Sequence, residues 1–447
     1  MDGAAHVVGR IVEGFLGASP PLGLHCWDGS RWGDDSAALQ VHVSSPDAIR
    51  RLLWDPDELG LARAHVAGEL AFDGSIFDLL DLRDHIAGRD RDVALHLRPS
   101  EWVRLANDAR RLGVLGRRPA PPPEEARLRG RLHSRRRDQR AISHHYDVGN
   151  DFYRLVLGPS MTYSCAFFPA ADTTLEDAQA LKHEHICRKL GLHPGMRLLD
   201  IGCGWGGMVL HAAQHHGVRA VGITISKEQA ALAQQRVRDA GLDGRVEIRL
   251  QDYRDVTDGP FDAVSSIGMF EHVGMERVQA YFERIRELLR PEGRLLNHAI
   301  SRCSGEGPLD RDSFPARYVF PDGQLHEVGR TVSAMQDLGF ECRDVESLRE
   351  HYARTLRCWV ANLEAHWDEA VALVGPARAR VWRLYMAGSA LGFEAHRLNI
   401  HQVLAVSPTP DGSSGMPRTR PDTRVRLRSP MIDVGRSRAP RQVGAER

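Results

Sequence analysis

Short apolar runs and one-sided helical stretches alternate through the middle of the chain. Runs at 196–201, 219–225, 245–251, 261–267 and 293–300 have the length and content of buried strands. Between them, stretches at about 207–216, 227–240 and 276–290 repeat apolar residues every three to four positions, as helices packed on one face do. Strand and helix in strict alternation predict an α/β fold, a doubly wound and mostly parallel sheet. Right-handed crossovers then place ligands at the carboxyl ends of the strands.

On either side the pattern changes. Alternation at Leu39, Val41 and Val43 predicts a strand, Ser45-Pro46-Asp47 starts a helix, and helical patterns follow through Leu59 to Val66 and Ile76 to Leu82. Residues 1–115 thus predict a small, mainly helical domain. Prolines 119 and 121–123, then arginines at 127, 129, 131, 135, 136, 137 and 140, predict an extended linker over 116–141. That run is either a solvated linker or an anionic-lipid patch. A catalytic domain spans 142–406, in which Thr173 and Glu176 have capping-box spacing and Gly191 ends their helix. Beyond 300 come a helix near Val328 to Leu338, a strand near Glu341 to Val345, helices at about 351–367 and 376–395, and a last strand from Gln402 to Val406. Leu356, Trp359, Leu363 and Trp367 share one helical face, which is either core or the roof of an acyl pocket. Residues 407–447 lack periodicity and predict a disordered basic tail.

Composition narrows the classes. The 59 basic and 59 acidic side chains cancel, so no global field draws the chain to nucleic acid. Seven cysteines without C-x-x-C spacing argue against a disulfide framework or a zinc site and for a reducing cytoplasm; no metal ligand set is assigned. With no apolar run of membrane-spanning length and no signal pattern, the protein is expected to be cytoplasmic and to reach any lipid substrate from the water side. Lysine occurs only at 182, 189 and 227 against a large excess of arginine, a bias attributed to a GC-rich genome and given no function.

Candidate chemistry centres on Leu198 to Met208. A buried strand breaks there into Gly202, Gly204, Gly206 and Gly207, which lets a ligand approach the backbone. The spacing nearly fits a dinucleotide fingerprint, so NAD or a flavin competes with S-adenosylmethionine (SAM). Asp200 before the first glycine suits the cationic amino group of a methionine moiety and repels a pyrophosphate. The next strand ends in Thr224 and Ser226, without the acid expected about 20 residues on for an NAD ribose. Both details favour SAM.

Several ordered segments then resemble one family. They are His144-His145-Tyr146-Asp147, Tyr163-Ser164-Cys165, Asp200 to Gly206, Gly222 to Gln229, Met269-Phe270-Glu271-His272-Val273-Gly274, Asn297-His298-Ala299-Ile300 and Tyr318 to Gly323. Together they resemble the cyclopropane-fatty-acyl-phospholipid synthase family, which includes the mycolic acid cyclopropane synthases. The likeness is strong over about 140–406 and looser over Ala62 to Leu80.

The resemblance implies a Rossmann-like class I methyltransferase fold with a seven-stranded, mostly parallel sheet and helical acyl-binding insertions. It implies methylene transfer from SAM to the cis double bond of a phospholipid acyl chain, at an anionic membrane surface. A carbocation forms, and a bound bicarbonate removes its proton. Carried over by position, the bicarbonate residues are Cys165, Glu271, His298, Ile300 through its backbone, and Tyr352. For SAM the likeness points to Tyr163, Ser164, Gly202, Gly204, Thr224, Gln229, Asp252 and Tyr253, beside Asp200. Singly, Cys165 and His298 read as packing and as a satisfied core histidine; the joint pattern reverses this. Leu325-His326 departs from the family's frequent Leu-Pro, which puts that loop's conformation in question. A homodimer is compatible with the resemblance.

Two rivals remain. Proton loss in another direction, after a hydride shift, gives a 10-methylene or methyl-branched chain at the same site. A nucleic-acid methyltransferase using the 117–140 basic run lacks an RNA-binding signature and a Pro-Pro-aromatic motif.

Overall fold

The computed structural model describes residues 3–16, 20–55, 57–87, 107–126, 137, 148–303, 305, 310 and 312–419. The His144-His145-Tyr146-Asp147 segment, most of the arginine run and the tail beyond 419 lie outside these residues.

The amino-terminal part is richer in strand than its pattern suggests. The expected strand at Leu39–Val43 is β3 of a four-stranded sheet, beside β1 (Leu22–Cys26), β2 (Arg31–Gly33) and β4 (Leu70–Asp73), in the order β2-β1-β3-β4. Glycine and histidine interrupt β1, so its apolar alternation is weak; it is stabilised by parallel pairing with β3. Helices Ala4–Leu16, Pro46–Trp54, Glu58–Val66 and Ile76–Ala87 hold more residues than the four strands do. Ser45 caps the second of these by accepting the Asp47 amide.

The proline segment is pinned to this sheet domain and does not stand free. The Ala120 carbonyl accepts from buried Arg51, and Glu125 takes two bonds from buried Arg63, at 2.8 and 2.9 Å. Arg137, in the arginine run, donates twice to Asp322 at 2.5 and 2.7 Å and is therefore not part of a free patch. Phe72 and Ile76 share one continuous apolar core with Val381 and Trp382 of the Pro376–Glu394 helix. The amino-terminal sheet and the later helices thus share one core.

The second sheet has seven strands: β5 (Arg197–Ile201), β6 (Arg219–Thr224), β7 (Val246–Leu250), β8 (Phe261–Ile267), β9 (Leu289–Arg302), β10 (Glu341–Ser347) and β11 (Leu398–Val406). Their order is β10-β11-β9-β8-β5-β6-β7, parallel from β9 to β7, with β11 antiparallel to both its neighbours. The chain reverses its winding direction beside β5, so the crevice at the end of β5 is the ligand position of such a sheet. β11 begins at Leu398, earlier than Gln402, because His401 and Asn399 lie within a strand whose other side chains pack.

Helix boundaries differ in two informative places. The Leu175–Leu190 helix is capped by Thr174, whose Oγ1 accepts the Asp177 amide, not by Thr173. Glu176 instead accepts the Ser160 amide, and Gly191 closes the helix in the left-handed conformation as expected. The stretch 351–367 ends at Ala365; Trp367 opens a separate helix, Trp367–Val374.

Candidate active site

The glycine turn follows β5 directly. Gly202, Gly204 and Gly206 have φ of +77°, +54° and +83°, a region that side chains with a Cβ disfavour. A Cβ on Gly202 also sits 3.1 Å from the Met269 side chain. The turn is anchored from outside: the Trp205 indole donates to Asn150 Oδ1 at 2.8 Å, and Arg236 donates to the Trp205 carbonyl at 2.7 Å.

A first cavity opens over this turn. Tyr163, Ser164, Asp200, Gly202, Gly204, Thr224, Gln229, Asp252 and Tyr253 all line it. Burial pushes the Asp200 carboxyl up to about 6, against a 2.6 Å bond from the Ser265 hydroxyl and nearby Lys182. The Thr224 hydroxyl donates to Gln229 Oε1 at 2.8 Å, which fixes both at the end of β6. The Asp252 carboxylate is engaged by Arg254, through Nε at 2.8 Å and a second guanidinium nitrogen at 2.5 Å. The Tyr253 ring stands edge-on to Tyr281 at 5.0 Å.

Lys182 also lines this cavity, and no sequence argument picked it out. Its ammonium donates to Ser164 Oγ at 2.9 Å, with Asp200 and Cys165 as its charged and titratable neighbours. Burial depresses it to about 7. The available signal was lysine scarcity: two of the chain's three lysines, Lys182 and Lys189, are buried on one helix.

A second cavity adjoins the first and shares Tyr163, Ser164 and Gly268 with it. Glu271, His298, Ile300 and Tyr352 line it, so three separate stretches of the sequence meet. The Ile300 amide donates to Glu271 Oε1 at 2.8 Å, while Oε2 is buried without a hydrogen-bond partner. Burial raises the Glu271 carboxyl to about 7. His298 pairs with Gln402 across β9 and β11, and the Gln402 amide donates to its Nδ1 at 3.3 Å. That leaves the ring proton on Nε2, which is buried and has no partner in the protein. Burial keeps this imidazole neutral, its pKa well below the ordinary value.

Tyr352 stands in the first turn of the Arg349–Ala365 helix, its amide donating to the Leu348 carbonyl. Cys165 follows Ser164 directly; its fully buried thiol donates to the carbonyls of Ala166 at 3.2 Å and Leu348 at 3.7 Å. Burial pushes that thiol up, so it acts as S–H and not as thiolate.

Most of the rest of the second cavity is apolar, with Leu325, Leu356, Phe393, Leu398 and Ile400 on its walls and the polar side chains of Tyr385 and Ser389 among them. The helical stripe divides accordingly. Leu356 faces the cavity, Trp359 and Leu363 are fully buried core, and Trp367 has moved to the next helix. His326, where the family often has proline, is buried; it contacts the Val273 carbonyl through Nε2 at 2.8 Å and bridges to Ser301. The loop is therefore fixed by hydrogen bonds.

A match to the family described as mycolic acid cyclopropane synthetase covers residues 133–403. The chain belongs to this family. It is 47% identical over 421 residues to a probable fatty acid methyltransferase of Mycobacterium tuberculosis, covering 91% of this chain and 96% of that one. It is 36% identical over 369 residues to the cyclopropane-fatty-acyl-phospholipid synthase of Escherichia coli K12, covering 83% and 88%. Among solved structures, the cyclopropane synthase MmaA2 of Mycobacterium tuberculosis matches with a TM-score of 0.58 at 35% identity, covering 60% of this chain and 97% of that one. The mycolic acid cyclopropane synthase CmaA1, complexed with SAH and CTAB, matches with 0.57 at 35%, over 60% and 97%. This family member is a SAM-dependent methyltransferase with the class I fold, as its sequence predicts. Among the described residues, no helix is long and apolar enough to cross a membrane.

Proposed function

We propose that the enzyme converts the cis double bond of a phospholipid acyl chain into a cyclopropane ring. The observation that carries this is the pair of joined cavities: one polar and built on the glycine turn, the other apolar with a cluster of polar groups at the shared wall. The CmaA1 complex supports the division, since SAH is the demethylated donor and CTAB carries a long alkyl chain.

SAM occupies the first cavity in this reading. Asp200 and the glycine turn take its amino group, and Lys182 with Ser164 takes its carboxylate. Thr224 and Gln229 hold the ribose; Asp252 and Tyr253 flank the adenine. The sulfonium methyl then points toward the shared wall. An isolated alkene is a weak nucleophile, so alignment in a dry pocket supplies much of the rate. The alkene π pair attacks the methyl carbon, the C–S bond pair stays on sulfur, and a carbocation results. Loss of a proton from the new methyl group lets its C–H pair close the ring.

Bicarbonate fits the polar cluster. Two buried groups lack partners there, an acceptor at Glu271 Oε2 and a donor at His298 Nε2, which match the O–H and an oxygen of that ion. When bound it supplies the base for the proton. Glu271, His298, Ile300 through its backbone and Tyr352 would hold it, Cys165 stands outside the cavity lining beside Ser164, and the apolar walls exclude water from the cation.

The membrane is reached peripherally from the cytoplasmic side. Leu53, Trp54, Leu61 and Leu115 are all exposed on the amino-terminal domain, and the Trp54 indole donates to the Gly116 carbonyl beside Leu115. Such a patch suits the bilayer interface.

A second reading gives a 10-methylene or methyl-branched chain. It is favoured by the name fatty acid methyltransferase carried by relatives at 47% and 40% identity. Mass and proton NMR spectra of lipids from an expressing host fed a monounsaturated acyl donor separate the two. Ring resonances support cyclopropanation; an exocyclic methylene signal alone sinks it.

A further inference from the structure

Four side chains with metal-ligating atoms converge between two helices, and none of them lines either cavity. Glu184 and Cys187 lie three apart on the Leu175–Leu190 helix, hence on one face. His211 and His216 come from the Gly207–His216 helix packed against it. The Cys187 sulfur and one ring nitrogen of each histidine lie within 4.8 Å of one another. Glu184 Oε2 is 3.3 Å from His211 Nε2 and 2.9 Å from His216 Nε2. Tetrahedral ligands at about 2.0–2.3 Å from Zn²⁺ stand about 3.3–3.8 Å apart, within the limit that the cysteine and the two histidines meet, while Glu184 lies outside that set of three.

Proton placement points the same way. His216 Nδ1 lies 3.3 Å from the Leu192 carbonyl, a contact that takes a proton on Nδ1. Nε2 then faces a carboxylate oxygen, and either a second ring proton or a cation must stand between them. A carbonyl behind the far nitrogen is also the usual support of a metal-bound histidine.

We propose that Cys187, His211 and His216 form a transition-metal site of the zinc class, with Glu184 beside the two histidines. One thiolate and two imidazoles suit Zn²⁺ or its analogues over the hard cations. Three protein ligands leave the fourth corner of a tetrahedron to an added oxygen ligand. The site clamps the helix leading into β5 to the helix that leaves the glycine turn. Cysteine spacing alone carries no signal for such a site, because its ligands come as one cysteine and an H-x₄-H pair on two helices.

The test is Co²⁺ titration of the full chain after chelator treatment. The wild type should take up one equivalent with tetrahedral visible bands and a thiolate charge-transfer band, both bleached by Zn²⁺. Cys187→Ser should lose the charge-transfer band, and His216→Gln should weaken binding by more than about tenfold. Zn²⁺ should raise the melting temperature of the wild type but not of His211→Gln/His216→Gln. Six other cysteines are free, so a charge-transfer band at full strength in Cys187→Ser overturns the proposal. A wild type that takes up no Co²⁺ also overturns it, leaving Glu184 paired with protonated histidine. Should Cys187→Ser fail to fold, the partly exposed His216 carries the test alone.

Discussion

The Ile300 amide holds one oxygen of Glu271 at 2.8 Å and leaves the other buried and unpartnered, in a residue that lines the second cavity. A strand backbone thus orients the carboxylate without consuming it. Glu271→Gln keeps an oxygen for the amide but cannot accept a proton from a bound ion. Its kcat should fall by about 10²–10⁴-fold, the usual worth of a positioned acid–base group. SAH affinity, measured by calorimetry, should be unchanged; a parallel loss of SAH binding would show that Glu271 serves the donor instead.

The same burial sets a pH dependence. Glu271 is raised from 4.5 to about 7, so the folded state binds the proton more tightly than the unfolded chain. Stability is therefore lost as pH rises from about 4.5 through about 7, to a total of about 3 kcal/mol at 1.36 kcal/mol per unit. Glu271→Gln carries no such penalty. In bicarbonate-free buffer, denaturant unfolding at about pH 5 and about pH 8 should show the variant gaining most of that amount on the wild type. Equal slopes with pH would refute the shift. Activity of the wild type should rise through about pH 7, because the ionised form is the acceptor.

Lys182 should govern donor affinity. Its ammonium shares Ser164 with the donor cavity and has no solvent to replace it. Lys182→Met fills similar volume without the charge. Loss of a charge-assisted bond of about 1.5–3 kcal/mol predicts SAH binding weaker by about 10–100-fold. Lys182→Arg should not restore it, since the planar guanidinium does not fit a site shaped for a point charge. An unchanged dissociation constant for Lys182→Met would remove Lys182 from the donor site.

How legible the site was depended on the kind of signal. Asp200, Gly202 and Gly204 sit in one contiguous turn, and Thr224 and Gln229 fall at the end of the next strand, so local pattern reaches them. Glu271, His298 and Tyr352 have no local signature; they converge only because β8 and β9 pair and the Arg349–Ala365 helix returns over their ends. Family resemblance supplied them. Lys182 lies inside an ordinary amphipathic helix, where position alone does not separate a snorkelling lysine from a buried one. β1 and β4 were missed for a related reason: their partner, β3, is distant in sequence and compensates for weak intrinsic strand character.

Membrane contact should depend on the apolar patch as well as on charge. An acyl chain leaving a bilayer gains nothing from burial in an equally apolar cavity, so binding energy must come from the protein's surface. Trp54 is 54% exposed and Leu115 also 54%, while Arg118 nearby is held by Asp55. The patch therefore offers insertion, and the exposed Arg117 beside it offers attraction to anionic headgroups. Trp54→Ala with Leu115→Ser should weaken flotation with phosphatidylglycerol vesicles by about tenfold, with turnover of a detergent-dispersed acyl substrate unaffected. Binding of the wild type should weaken with salt over the range in which the Debye length falls from about 30 to about 8 Å. Salt-independent binding that the double variant retains would place the membrane contact elsewhere on the chain.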